Sequence, residues 1–376
     1  MPLDSLEFRT SLQKLLIALI VILVPVTIFG FYVALQGDNH IRQANGEAFR
    51  SLTLTAAEFT SDYIADCVED VSAIANTPDI IRSVATANRQ YEHLSDDAIL
   101  AKVSGIDEHW DSAETDAISA KILTSDPARY LRRLRELNPT LLKITVADLA
   151  GSTVAATDRP AHYSQTDRDL WRALSSGGMG SIHVSDLRYD DQNRLYYLSL
   201  AYPILQEGTG RFIGAVTATV NLSPMFAQLN RHQIGRTGRL FLVRDDGMVI
   251  ESPGGVSPLM RIKSEEYAAI RDALGTLRGR QAGYVFATLS NRQSYLIGFA
   301  DVGLKDAYPN LPWIVLASQE TREVTGPVRN MVGFALALVI LAFLILSLLA
   351  AYVFLHTKQE IDDIETPEDK EKYALV

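Results

Sequence analysis

The chain has 376 residues, a formal charge of −10 and one cysteine, Cys67. The acidic balance, without a basic stripe, argues against nucleic acid as a partner. A lone cysteine excludes an internal disulfide framework and any cysteine-based zinc site, and its helical setting reads as a small buried hydrophobe.

Residues 1–14 precede a run at 15–35 that holds no charged residue. As a helix rising 1.5 Å per residue it covers roughly 30 Å, the thickness of a bilayer core. Pro25 and Gly30 inside it are tolerated in membrane spans. The run is too long for a signal-peptide core, and no small-residue cleavage site follows it. A second uncharged run, at 331–355, is long enough to span with some tilt. Two transmembrane helices put both termini on one side, taken as the cytoplasm, and leave 36–330 outside. That stretch is long enough for one large or two ordinary domains.

Beyond the first run, apolar or small residues recur at 41, 44, 48, 52, 56, 59, 63, 67, 71 and 74. Steps of three and four describe one long amphipathic helix over 36–79, ended by Pro78. The same stripe serves either packing on its own domain or pairing with a second copy. Residues 95–137 read as helical again, with Ser95 and Ser125 as caps. Asn138-Pro139 closes this part.

Strand texture follows. Residues 141–147 and 153–157 flank Asp148-Leu149-Ala150-Gly151, a hairpin. Residues 166–174 form a short helix stopped by Gly177-Gly178. Strands are expected at 181–185, 195–204 and 212–222, the last two joined by a glycine-containing turn, and Ser223-Pro224 opens a connecting helix. The plan then restarts: a hairpin at 240–251 around Asp245-Asp246-Gly247, a helix at 265–277, and strands near 284–289, 294–299 and 313–318. The segments TVADLAGSTVAAT and FLVRDDGMVIES share strand, Asp, Gly, strand. Two modules of one architecture are expected, each a sheet with helices on one face, an α+β fold.

Arg168 and Trp171, three apart on the short helix, share a face with Tyr163 nearby. A guanidinium fork matches a carboxylate, and two aromatic walls suit a small orienting pocket. From these residues alone, Trp171 plugging the core while Arg168 bridges to Asp167 or Asp169 is the favoured reading. Strand alternation puts Thr217 with Thr219, and Tyr197 with Ser199, on shared faces; His183 is a further candidate, although a lone strand histidine is more often a satisfied structural residue. No histidine or acid set has metal-ligand spacing, and neither a nucleophile elbow nor a Walker loop occurs, so no catalytic residue, metal or cofactor is expected.

The order of DRPAHYSQTDRDLWRAL, LAYPILQEGTGRFIGAVTATVNLSPMF, GRTGRLFLVRDDGMVIESP and LPWIVLASQETREVTGPV, after the long helix and VADLAGSTVAAT, resembles the double Cache sensor family of bacterial transmembrane receptors. The resemblance implies two PAS-like antiparallel-sheet modules, a membrane-distal ligand-binding one at 80–225 and a membrane-proximal, usually empty one at 226–328. It also implies a periplasmic placement in a multi-pass protein of the bacterial inner membrane, a homodimer, and a chemotaxis, kinase or cyclase output. Tyr163 and Arg168 match the spacing of the family's amino-acid-binding pattern, and that match reverses the preference for the structural reading of Trp171 and Arg168. Leu170 stands in place of a tryptophan, with Trp171 in the next aromatic position. Tyr189 fits the later tyrosine only with a longer loop, and Asp186 lies nearer that place. Thr219 aligns with the aspartate that would pair with a ligand ammonium, which favours a carboxylate without an amine. The acidic segment 356–376 carries no output module, so three readings stay open: a separate output partner, a truncated longer receptor, or a scaffold whose distal pocket is filled by its own side chains.

Overall fold

The structure, a computed structural model, describes residues 3–166, 171, 182–231, 234–251, 262–276, 282–324 and 326, with scattered residues between 334 and 352. By backbone contacts the chain forms two units, 46–320 and a second made of 1–45 with 321–376. Among the described residues no helix is long and apolar enough to cross a membrane. The run at 15–35 lies where most side chains fall outside the described residues, and 331–355 is described only in scattered residues.

Helix α1 runs from Leu3 to Ala75 without a break at Pro25. Its part within the larger unit buries Phe49, Thr53, Ala56, Thr60, Ile64, Cys67, Val71 and Ile74. Of the expected stripe 56, 67, 71 and 74 are buried; at four other places the buried face lies one residue later, at 49, 53, 60 and 64 in place of 48, 52, 59 and 63. Burial, with Asp70 and Asp66 nearby, pushes the Cys67 thiol up to about 12, so it stays protonated and inert. Pro78 marks a start as well as an end: α2 (Pro78–Asn88) opens on it, at a position where a missing N–H costs nothing. Helices α3 (Asp96–Glu108), α4 (Asp116–Thr124) and α5 (Asp126–Leu137) follow. The Ser95 and Ser125 hydroxyls accept from the amides of Ala98 and Ala128, as the capping reading expects.

The distal sheet has the path β2-β1-β6-β5-β3, with β4 also on β5, and every pairing is antiparallel. Its strands are β1 (Leu141–Asp148), β2 (Thr153–Ala156), β3 (His183–Val184), β4 (Arg188–Asp190), β5 (Leu195–Leu205) and β6 (Phe212–Asn221). Sequence reading missed β4. Helix α6 (Ser223–Asn230) leads to the second sheet, β8-β7-β11-β10-β9. Its strands are β7 (Arg239–Arg244), β8 (Val249–Glu251), β9 (Ala282–Thr288), β10 (Ser294–Asp301) and β11 (Trp313–Glu320), with α7 (Glu265–Thr276) before β9. Strand for strand the two orders correspond, which is the repeat expected from the two Asp-Gly hairpins. Gly151 and Gly247 sit at those turns with φ of 78° and 84°, where a Cβ is strained.

Helix α1 touches both sheets. The Arg50 Nε donates to the carbonyl of Ala282 at 3.3 Å, and the Tyr63 hydroxyl donates to the carbonyl of Asn221 at 3.2 Å. At Gly298 on β10 an added Cβ would lie 2.8 Å from the Phe49 carbonyl oxygen, so glycine permits this close helix–sheet approach.

Candidate functional site

One face of the distal sheet is built for burial and the other is not. Ile144, Val146, Leu198, Leu200, Val216 and Val220 are fully buried, and at the end of this face α2 closes over Gly214 through Val84. Alternation turns the residues between them to the opposite side. There Lys143, Thr219 and Ser199 stand in one cross-strand row on β1, β6 and β5. The row continues to Ser185, whose hydroxyl accepts from the Ser199 amide at 2.8 Å. The next row is Thr145, Thr217, Ala201 and His183. Beyond it Ala147 and Ala215 are covered by Trp171 and Phe212, whose rings meet edge-on at 5.8 Å.

A cavity of about 1300 Å³ opens over the polar rows, lined by Lys143, Tyr197, Ser199, Thr219, His183 and Asp186 among others. An alcove of about 120 Å³ shares Lys143, Ser199 and Thr219 with it and adds Thr145, Thr157 and Thr217. In the second module the corresponding sheet face is closed. Phe241, Val243, Tyr295, Ile297, Phe299, Ile314 and Leu316 form one cluster with Ile270 of α7. Its buried acid, Glu266, accepts from the hydroxyls of Ser264 and Ser318 at 2.9 and 3.3 Å. Hydrogen bonds of this kind are what a buried carboxylate requires, and they give it a structural role.

Of the residues singled out from sequence, Tyr197, Ser199, Thr219, His183 and Asp186 line the large cavity, and Thr217 lines the alcove. Arg168 lies outside the described residues. Tyr163 is turned into the core, 5.4 Å from Trp110 and clustered with Val103, Ile122 and Ala156, and burial raises its phenol above the ordinary value. Trp171 caps the apolar end of the floor and does not line either cavity. Tyr189 stacks at 4.9 Å on Tyr196, which meets Phe226, and does not line them either. Asp186 has a second engagement: its carboxylate accepts from Arg244 on β7 at 2.8 Å. The Asn310 side chain donates to the Val184 carbonyl at 2.8 Å, so the cavity rim is fastened to the second module twice.

Sequence reading missed Lys143, Thr145, Ser185, Arg188 and Asp107 as lining residues. The alternation that selected Thr217 and Thr219 selects Lys143 and Thr145 once β1 is paired with β6. Asp107 comes from α3 and carries no local signal. Its Oδ1 accepts from the Ser164 amide at 3.0 Å, with His162 3.6 Å from Oδ2. Hydrogen bonds from Asn193 hold the Asp190 carboxyl below the usual range. Among the described residues no group of three or more histidine, cysteine or acid side chains is placed to hold a metal.

Two antiparallel sheets of one strand order along a shared helix, one face hollow and polar and its counterpart filled, define a two-module domain with a single open sheet face among the described residues. The family model described as Cache domain, of the double Cache kind, matches residues 37–328, and the chain belongs to that family. Double Cache domains are extracytoplasmic, ligand-binding sensor parts of membrane receptors. Among solved structures, the chain is similar to the ligand-binding domain of the Pseudomonas aeruginosa PAO1 amino acid chemoreceptor PctB in complex with L-Arg. That match has 17% identity and a TM-score of 0.43, and covers 75% of this chain and 97% of that one. It is also similar to the sensory domain of the Campylobacter jejuni chemoreceptor Tlp3 with isoleucine bound, at 12% identity and a TM-score of 0.49, covering 77% and 97%. Comparison with curated proteins finds no match.

Proposed function

We propose that this chain is a transmembrane sensor that binds a small carboxylate-bearing molecule over the polar face of its distal sheet. The observation that carries the reading is the contrast between the two modules: the distal face is hollow and set with hydroxyls and a lysine, while its counterpart is filled by aromatic and aliphatic side chains. A scaffold with a self-filled distal pocket accords poorly with an open cavity of about 1300 Å³. Arg168, from its spacing with Tyr163, is the proposed second clamp on the carboxylate.

The proposed membrane anchors are the helices at 15–35 and 331–355. In their support, Val21, Ile28, Tyr32, Phe334, Ile340, Phe343, Leu348 and Tyr352 are all more than half exposed, a density of bare apolar side chains that suits lipid. Occupancy of the distal cavity would bias one arrangement of the rim, and only a ligand with different affinity for two arrangements can do so. Movement would reach the second module through Arg244–Asp186 and Asn310, and reach α1 through its bonds to both sheets. The reading places the chain in the inner membrane as a homodimer that signals to a separate output protein, and it assigns no catalytic step. The test is thermal stabilisation of the purified full-length chain across a carboxylate panel. The reading expects a raised melting temperature with at least one acid, reduced by Arg168→Ala; no response to any member would refute it.

A further inference from the structure

The lining of the distal cavity says more about its ligand than that it is an acid. Among the described residues the Lys143 ammonium makes no hydrogen bond or ion pair, and the hydroxyls of Thr145, Ser199 and Thr219 have no partner. All four border the alcove of about 120 Å³, which has room for a carboxylate head. Asp158 and Arg159 also border the alcove, but each is ion-paired, with Arg135 at 2.6 Å and Asp116 at 3.0 Å respectively. The Lys143 ammonium and the hydroxyls are therefore what face an anionic head.

The wider cavity next to the alcove has a different character. His183, Ser185, Asn193, Tyr197 and Arg188 give it donors and acceptors on several strands, and the aliphatic residues among its described lining are Leu142, Ala161 and Leu195. The acids on its wall are already engaged. Asp107 accepts from the Ser164 amide, Asp186 from Arg244, and Asp190 from the Asn193 side chain and the Gln192 amide. Of the three, Asp186 is the one whose charge is already met by a cation. An apolar ligand tail would strand the polar groups it covered, and a site lined with hydrogen-bonding groups rejects ligands that lack the matching ones.

Resting on the sensing reading above, we infer that the ligand is a polyhydroxylated acid of the sugar-acid class. Its carboxylate sits on Lys143 in the alcove and its hydroxyls extend into the wider cavity. A fatty acid fails for want of hydroxyls.

The experiment is isothermal titration of the purified full-length chain with D-gluconate and D-galacturonate, set against butyrate, L-glutamine and the neutral polyol sorbitol. At least one sugar acid is expected to bind ten-fold or more tighter than each of the other three. Lys143→Met, at an exposed position where the fold is indifferent, is expected to cost that acid ten-fold or more. Thr219→Val, which keeps the side-chain shape and removes the hydroxyl, is expected to weaken it several-fold. Butyrate or glutamine binding as tightly as the sugar acids would overturn the inference and leave the sensing reading standing. Sugar-acid binding untouched by both substitutions would overturn the assigned seat. Silence across all five compounds would overturn the inference, and extended silence with other carboxylates would take the sensing reading with it.

Discussion

Asp148 closes the hairpin that starts the distal sheet, and it is 1% exposed. Its Oδ1 accepts from the amides of Ala150 and Ser152, both at 3.0 Å, and its Oδ2 from the Tyr91 hydroxyl at 3.0 Å. These bonds favour the ionised form, as does Lys102 nearby. Desolvation outweighs them and pushes the carboxyl from the ordinary 3.8 up to about 6. Tyr91 and Tyr163, whose phenols are themselves raised by burial, supply no positive charge. Between pH 3.8 and about 6 the folded chain keeps a proton that the unfolded chain has released. Stability from this group is therefore greatest below about pH 4 and falls as pH rises, reaching its floor above about 6. About two pH units at 1.36 kcal/mol each make about 3 kcal/mol. Asp148→Asn keeps the Oδ1 acceptor and removes the charge, and the Tyr91 hydroxyl rotates to accept. The variant is expected to match the parent at pH 4 and to exceed it by up to about 3 kcal/mol at pH 7.5. Urea unfolding at intervals between these pH values measures the difference. A variant less stable than the parent at pH 7.5, by an amount independent of pH, would refute the dominance of burial over hydrogen bonding.

Three further substitutions separate structure from binding. Trp171→Ala empties the apolar end of the floor and is expected to cost about 3–5 kcal/mol in urea unfolding, a loss that substitution of the exposed Lys143 by Met does not share. Gly298→Val drives a side chain into the Phe49 backbone and is expected to destabilise the chain by about 1–3 kcal/mol, readable as a lowered melting temperature. The Arg244–Asp186 pair is partly exposed, so a double-mutant cycle is expected to find about 0.2–1 kcal/mol for it, with the cavity ligand still bound.

The architecture was legible because its signals are local. Asp-Gly turns between alternating strands located both hairpins, and serine caps located α3 and α5. The repeated plan of the two halves predicted two sheets of one order. The site was legible only where alternation could be applied: Thr217, Thr219, Tyr197 and Ser199 share the hollow face through period two. Helical spacing failed differently. It groups Trp171 with Arg168 without saying whether that face meets solvent, a ligand or the core, and in the fold Trp171 clusters with Phe212 and three alanines. Tyr163 was selected as an aromatic wall and Tyr189 from its place in the family pattern, yet each found an aromatic partner, Trp110 and Tyr196, set by tertiary packing. Asp148 read as an ordinary turn residue, and its burial under Tyr91 comes from a helix 57 residues away in sequence. The clasp of Asp186 to Arg244 spans 58 residues and two modules, beyond any local pattern.

The most direct measurement is a crystal structure of the full-length chain grown with the tightest-binding acid of the titration panel. The expected result is one molecule over the distal sheet, its carboxylate on Lys143 between Thr219 and Ser199, and none on the filled face of the second module. A ligand seated on the second module, or a distal cavity left empty at saturating acid, would contradict the proposed sensing site.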